Sequence, residues 1–135
     1  MRIGLIDVDG HNFPNLALMK LSAYHKSQGD TVEWYYPLGD YDNVFASKVF
    51  TFTGWPQVNH TVTRGGSGYD LAVKLDEDIE HVFPDYSLYG INDTAYGYLT
   101  RGCPRHCGFC IVENKLSGIS RNNNHKIIVT AKITF

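Results

Sequence analysis

The chain has 135 residues, 43% of them hydrophobic, and its 12 basic and 14 acidic side chains leave a formal charge of −2. This length accommodates one ordinary domain, or a small domain and part of another, with enough apolar residues to form a core without disulfides or metal. The near-neutral balance gives no reason to expect nucleic acid or an anionic membrane as a partner. No apolar run approaches the roughly 20 residues that cross a bilayer, so no membrane span is expected.

The cellular compartment is indicated by the cysteines and by the N-terminus. All three cysteines lie within residues 103–110, whereas a secreted disulfide scaffold has them spread in pairs. Asp7 and Asp9 stand where a signal peptide would have its apolar core. We therefore expect a cytoplasmic protein.

The N-terminal residues predict a strand, a helix and a second strand. Residues 3–8 form a short apolar run with β-branched residues, and an Asp-Gly turn signal follows it. A helical spacing of apolar residues comes next, with Pro14 near its start and Gly29 just beyond its end. Residues 31–35 predict the second strand. This order is typical of a βαβ unit with parallel strands.

The middle of the chain predicts further strands and a domain boundary. Residues 43–53 predict one strand region, and residues 58–63 predict another short strand. The glycine-rich segment 65–68 lacks the Lys-Ser/Thr ending of a P-loop, so a turn with positive φ is favoured over a phosphate cradle. The acidic, irregular sequence that follows leads us to divide the chain into domains at residues 1–90 and 91–135.

The second domain begins with a predicted strand, residues 95–100, that delivers a cysteine-containing loop. The loop carries Cys103, Cys107 and Cys110 in a C-x3-C-x2-C spacing. Closely spaced thiolates can hold an iron–sulfur cluster from one side, and three of them leave one iron of a four-iron cluster open. The terminal residues 126–135 are strongly β-prone and, unpaired, would be an aggregation risk.

The spacing of the cysteines, with Phe109 in the aromatic slot before the last one, resembles the signature of the radical S-adenosylmethionine superfamily. In that family the loop follows the first strand of a partial (β/α) barrel, the place that residues 96–100 take here. Residues 99–107 also resemble members with a cobalamin-binding-like domain in front of the barrel. The resemblance implies an α/β fold: an N-terminal Rossmann-like (cobalamin-binding-like) parallel sheet with helices, then the first strand and cluster loop of an incomplete radical S-adenosylmethionine (β/α) barrel.

The resemblance also implies a chemistry. Cys103, Cys107 and Cys110 would hold a [4Fe–4S] cluster whose open iron binds S-adenosylmethionine, with Phe109 against the adenine. In the family, an electron from a low-potential donor of the flavodoxin or ferredoxin type cleaves the sulfonium, and the resulting 5′-deoxyadenosyl radical abstracts hydrogen from a substrate. The protein tunes the cluster potential, orients the cofactor and excludes water.

The residues after the loop depart from the family. Only 25 residues follow Cys110, whereas such a barrel of about six βα units needs on the order of 200. We therefore expect a truncated chain that is inactive or incomplete alone, and whose barrel a partner chain would have to complete.

Two alternatives remain open. The chain could be a non-catalytic α/β binding or interaction module that carries the loop. It could also be a small zinc-binding domain in which His106 joins the cysteines, since Cys/His sets bind zinc tetrahedrally. Adjacent residues such as His106 and Cys107 seldom both reach one tetrahedral ion, so the spacing favours the iron–sulfur cluster.

Cobalamin is not expected as a cofactor. Asp9-Gly10-His11 matches the opening of a cobalamin-binding motif, in which the histidine ligates cobalt, but the glycine required three residues later is Pro14 here. A turn or helix-capping role for His11 is favoured.

Overall fold

The chain divides into two compact units, Met1–Asn92 and Asp93–Phe135. The sequence predicted a boundary after residue 90, and the division falls after Asn92. The computed structural model describes residues 1–10, 13–98, 107–109 and 130–134.

The first unit contains β1 (Arg2–Asp7), α1 (Leu16–Ser27), β2 (Thr31–Trp34), β3 (Asn43–Ser47), β4 (Val62–Gly65), α2 (Glu77–Glu80) and a 3-10 turn (Tyr86–Tyr89). Its four strands form a parallel sheet in the order β2-β1-β3-β4. Helix α1 connects the first two strands, and the short helix α2 and the 3-10 turn follow the fourth. The coarse prediction of a parallel α/β fold that opens with a βαβ unit is confirmed.

Helix α1 has local signals at both ends. Asn15 is its N-cap, and its side chain accepts a hydrogen bond from the Leu18 amide at 3.3 Å. Gly29, just past the C-cap, has φ +86°, the left-handed conformation that ends many helices. In the part of the chain that the structure describes, no helix is long and apolar enough to span a membrane.

The two faces of the sheet are covered differently. Ile3 and Leu5 of β1 face α1 and are buried in the core with Leu18, Leu21 and Ile79. Because side chains alternate along a strand, residues in the intervening positions lie on the opposite face. The register places Val44 and Ala46 of β3 and Val62 and Arg64 of β4 together on that opposite face.

The predicted strand region 43–53 is only half right. β3 ends at Ser47, and residues 48–56 form an irregular segment. The carboxylate of Asp9 accepts hydrogen bonds from the amides of Val49 and Phe50 at 2.9 and 2.8 Å, so these amides do not join a strand ladder. The next strand is likewise displaced, from the predicted residues 58–63 to Val62–Gly65.

The second unit contains an antiparallel pair of strands. β5 (Thr94–Tyr98) coincides with the described part of the strand predicted before the cysteine loop. β6 (Thr130–Thr134) lies in the β-prone terminal sequence, and Tyr96 pairs with Lys132 in the register between them. The terminal strand therefore has a partner.

Asp85 ties the segment after α2 to α1. Its Oδ2 accepts hydrogen bonds from the Ser22 hydroxyl and the Lys26 ammonium, both at 2.6 Å. The amide of Ser87 donates to Oδ1 at 3.1 Å, and the Ser87 hydroxyl donates to the same atom. Burial alone would raise the pKa of Asp85, but the hydrogen bonds, that from Lys26 first, outweigh it and lower this pKa to about 2.

Because of the Asp85 contacts, we expect the free energy of unfolding to fall at acid pH. Because the pKa is lower in the folded state, this stabilisation is complete above about pH 5. It is lost as the pH falls from there to below about 2, and the total loss is about 2 kcal/mol. In urea unfolding at a series of pH values, Asp85→Asn should flatten this dependence, whereas the control Asp78→Asn, at an exposed carboxylate, should not. Equal slopes for wild type and Asp85→Asn would contradict the assignment.

Candidate functional site

The cysteine loop is described at its centre. Cys107, Gly108 and Phe109 lie in an exposed turn, and the Cys107 thiol is free of any disulfide. The Phe109 side chain is 92% exposed. The other two predicted ligands, Cys103 and Cys110, lie outside the described residues, as do Arg105 and His106 between them.

The described part of the loop fits a cluster or metal by its chemistry. An accessible cysteine sulfur is available to bind iron or zinc. A large aromatic ring so open to solvent has apolar surface that a bound organic molecule could cover. Among residues 1–10, 13–98, 107–109 and 130–134, no three His, Cys, Asp or Glu side chains converge as metal ligands would.

A second position that the fold favours for ligands is the carboxyl edge of the parallel sheet. The chain passes from β1 through α1 to β2 on one side of β1, and β3 lies on the other side. The topological switch point is therefore between β1 and β3. Protein groups occupy the ends of these strands: Asn15 Nδ2 donates to Ser47 Oγ at 2.9 Å, and the Tyr89 hydroxyl donates to Asp7 Oδ2 at 2.6 Å. Burial, together with the Asp7 carboxylate, raises the pKa of Tyr89.

Asp9, the first residue of the cobalamin-like Asp-Gly-His sequence, has a structural role here. Its side chain is buried, and its carboxylate accepts the Val49 and Phe50 amides from a segment 40 residues away in the sequence. His11, for which a turn or capping role was favoured over cobalt ligation, lies outside the described residues.

The glycine-rich segment includes a turn with positive φ, as predicted, and this turn packs against backbone. Gly66 has φ +95°, and a Cβ placed on it would lie 2.2 Å from the Lys48 carbonyl oxygen. Gly68 donates its amide to that same oxygen at 2.9 Å. The glycines thus allow a close approach to the segment that Asp9 holds from the other side.

The acidic sequence after the glycine-rich turn forms a helix start. Asp76 is the N-cap position of α2, which begins at Glu77. Glu80 Oε1 pairs with Lys20 Nζ at 3.1 Å, so this carboxylate is used in packing α2 against α1. Acidic residues in the first turn are favourable because they complement the helix dipole.

A cluster of cations around one tryptophan was missed by sequence reasoning. Lys48 Nζ and Arg64 Cζ lie 4.8 and 5.0 Å from the centroid of the Trp55 ring. The only sequence signal is that Arg64 follows Val62 by two residues in a strand, which places both on one face. The path of the segment that carries Trp55 has no such local signal.

Comparison of the sequence with protein-family models and with curated proteins, and of the structure with solved structures, gives no match. The inference of function therefore rests on the spacing of the cysteines and on the geometry described above.

Proposed function

We propose that the chain binds a [4Fe–4S] cluster through Cys103, Cys107 and Cys110, and S-adenosylmethionine at the open iron of that cluster. The observation that carries the proposal is the C-x3-C-x2-C spacing with an aromatic residue, Phe109, before the last cysteine. The exposure of the Cys107 thiol and of the Phe109 ring supports it. When bound, such a cluster supplies one-electron reduction, and a flavodoxin- or ferredoxin-type donor would be its partner.

The proposal assigns a separate task to each part of the loop. The three thiolates hold the cluster, and they leave one iron open because only three ligands come from the protein. The ring of Phe109 contributes apolar area against the adenine of S-adenosylmethionine. The protein's remaining contribution is to set the potential of the cluster and the orientation of the cofactor.

For the N-terminal unit, we infer a Rossmann-like, cobalamin-binding-like domain. The parallel order β2-β1-β3-β4, with a helix between the first two strands, supports an open parallel sheet of this kind. Cobalamin itself is not part of the proposal, because Pro14 stands where the motif has glycine and Asp9 binds backbone amides.

A second candidate is a non-catalytic module that carries the same cluster. It is favoured by the antiparallel pairing of β5 with β6, since neighbouring strands of a (β/α) barrel are parallel. In that case the cluster would serve binding or electron transfer, and no radical would be generated.

Anaerobic reconstitution with iron and sulfide tests the cluster. We expect about four iron and four sulfide per chain and a broad absorption band near about 400 nm, and we expect Cys107→Ala to lose both. Phe109→Ala is the matched control: it changes the same exposed turn but removes no ligand atom, so the band should remain. Binding of stoichiometric zinc without this band would instead support the zinc-binding domain. In that case, replacing Cys107 or His106 should abolish zinc binding.

Addition of dithionite and S-adenosylmethionine to the reconstituted protein separates the two candidates. Formation of methionine and 5′-deoxyadenosine would support the radical enzyme. A stable cluster that leaves S-adenosylmethionine intact would support the non-catalytic module. Isothermal titration with S-adenosylmethionine then shows whether the cofactor binds without being cleaved.

A further inference from the structure

A small cleft lies on the sheet face opposite α1. Its volume is about 100 Å³, and the residues that line it include Ala46, Val62 and Arg64 of β3 and β4. Trp55 and His60, from the connection between these strands, also line it. Pockets for drug-sized molecules have volumes of roughly 300–1,000 Å³, so this cleft suits a single small group.

The cleft carries a positive charge, that of the Arg64 guanidinium. No acidic side chain is among the lining residues, so nothing in the lining neutralises this charge. Arg64 is exposed, and within the described residues its guanidinium contacts the Trp55 ring but has no hydrogen bond or ion pair. A guanidinium in this state keeps its planar set of donors available for an oxyanion, which it binds in a bidentate manner.

A second cation, the Lys48 ammonium, lies beside the same tryptophan ring and adds to the positive charge near the cleft. Lys48 is only 6% exposed. Its Nζ donates a hydrogen bond to the Thr53 carbonyl at 2.9 Å and lies 4.8 Å from the centroid of the Trp55 ring. Across the residues that the structure describes, no carboxylate pairs with this ammonium. Buried charges are usually paired, so an anion near this tryptophan would be favoured.

His60 supplies a further donor. Its Nδ1 lies 3.3 Å from the Tyr35 hydroxyl, and its ring makes edge contacts with Tyr35 and Tyr41. When the Tyr35 hydroxyl donates to Nδ1, Nε2 carries the proton of the neutral ring and is a hydrogen-bond donor.

We propose that this cleft binds a phosphate group, either inorganic phosphate or the phosphate of a small molecule, through the Arg64 guanidinium and His60 Nε2. The doubly charged phosphate is preferred to a carboxylate because two fixed cations, Arg64 and Lys48, flank Trp55. The site lies entirely within the first unit and does not depend on the cysteine loop.

Isothermal titration of the full chain, at constant ionic strength, tests the proposal with inorganic phosphate, glycerol phosphate and acetate as probes. We expect saturable binding of phosphate or glycerol phosphate, with the tighter of the two identifying the source, and much weaker binding of acetate. Arg64→Gln should weaken binding by about tenfold or more, and Arg64→Lys, which keeps the charge but not the planar donors, by less.

The control is Lys74→Gln, which removes one exposed positive charge outside the cleft and should change the affinity by less than about twofold. Circular dichroism establishes whether each variant is folded. If Arg64→Gln does not fold, the comparison is made with Arg64→Lys. Absence of saturable binding up to about 20 mM phosphate would overturn the proposal. An equal loss in Arg64→Gln and Lys74→Gln, or acetate binding as tightly as phosphate, would overturn it as well.

Discussion

Replacing Gly66 with alanine is expected to lower the free energy of unfolding by about 3 kcal/mol or more. Its φ of +95° disfavours any L side chain, and an added Cβ would lie 2.2 Å from the Lys48 carbonyl oxygen. To make room, the turn would have to move away from Lys48 and stretch two hydrogen bonds, Lys48 N–H to Gly65 O and Gly68 N–H to Lys48 O. Chemical unfolding of the purified variant measures the loss.

Gly29 offers the matched control. Its φ of +86° is similar, but nothing lies within 4 Å of a Cβ placed on it. Gly29→Ala therefore incurs only the conformational penalty, about 1 kcal/mol. Similar losses at the two positions would show that the close approach to Lys48 does not determine the requirement for glycine at position 66.

Replacing Asp9 with alanine is expected to lower the free energy of unfolding by about 3 kcal/mol. Its buried carboxylate accepts the Val49 amide at 2.9 Å and the Phe50 amide at 2.8 Å. Hydrogen bonds to a charged group contribute about 1.5–3 kcal/mol each, and their removal leaves two amides that solvent must reach. Urea unfolding of Asp9→Ala, with near-UV circular dichroism to follow the aromatic residues of this segment, measures the effect.

Asp70 provides the comparison for Asp9. Its carboxylate also accepts a backbone amide, that of Ala72 at 2.8 Å, but this bond is exposed to solvent. Asp70→Ala should therefore reduce stability by less than about 1 kcal/mol. If Asp9→Ala were no more destabilising than Asp70→Ala, the carboxylate would not be what holds the segment after β3.

Asp9 and Gly66 also show where prediction from the sequence reaches its limit. A β-prone run after residue 48 predicted that the strand continues, and local propensity supported that interpretation. The run instead leaves the sheet because Asp9 and the glycine turn both bind its backbone. Tertiary hydrogen bonds thus override a local preference that is worth only tenths of a kcal/mol per residue.

The candidate phosphate cleft is a second example. The alternation of Val62 and Arg64 is visible in the sequence, but the position of Trp55 over that face is not. Trp55 and Arg64 come together because the connection between β3 and β4 folds back across the sheet. By contrast, the prediction of a cluster rests on the spacing of the cysteines, which can be read from the sequence without tertiary information.

By itself, the sequence determined the features that depend on neighbouring residues: β1, α1, β2 and β5, the glycine just past the end of the helix, and the C-x3-C-x2-C spacing that suggests an iron–sulfur cluster. Periodicity, caps and ligand spacing act over a few residues and can be recognised in a single chain. Only the tertiary structure decided the strand order, the antiparallel partner of β5 and the grouping of Lys48, Trp55 and Arg64. Those features depend on contacts between residues far apart in the chain, such as the 40 residues that separate Asp9 from Val49, and local preferences do not specify such contacts.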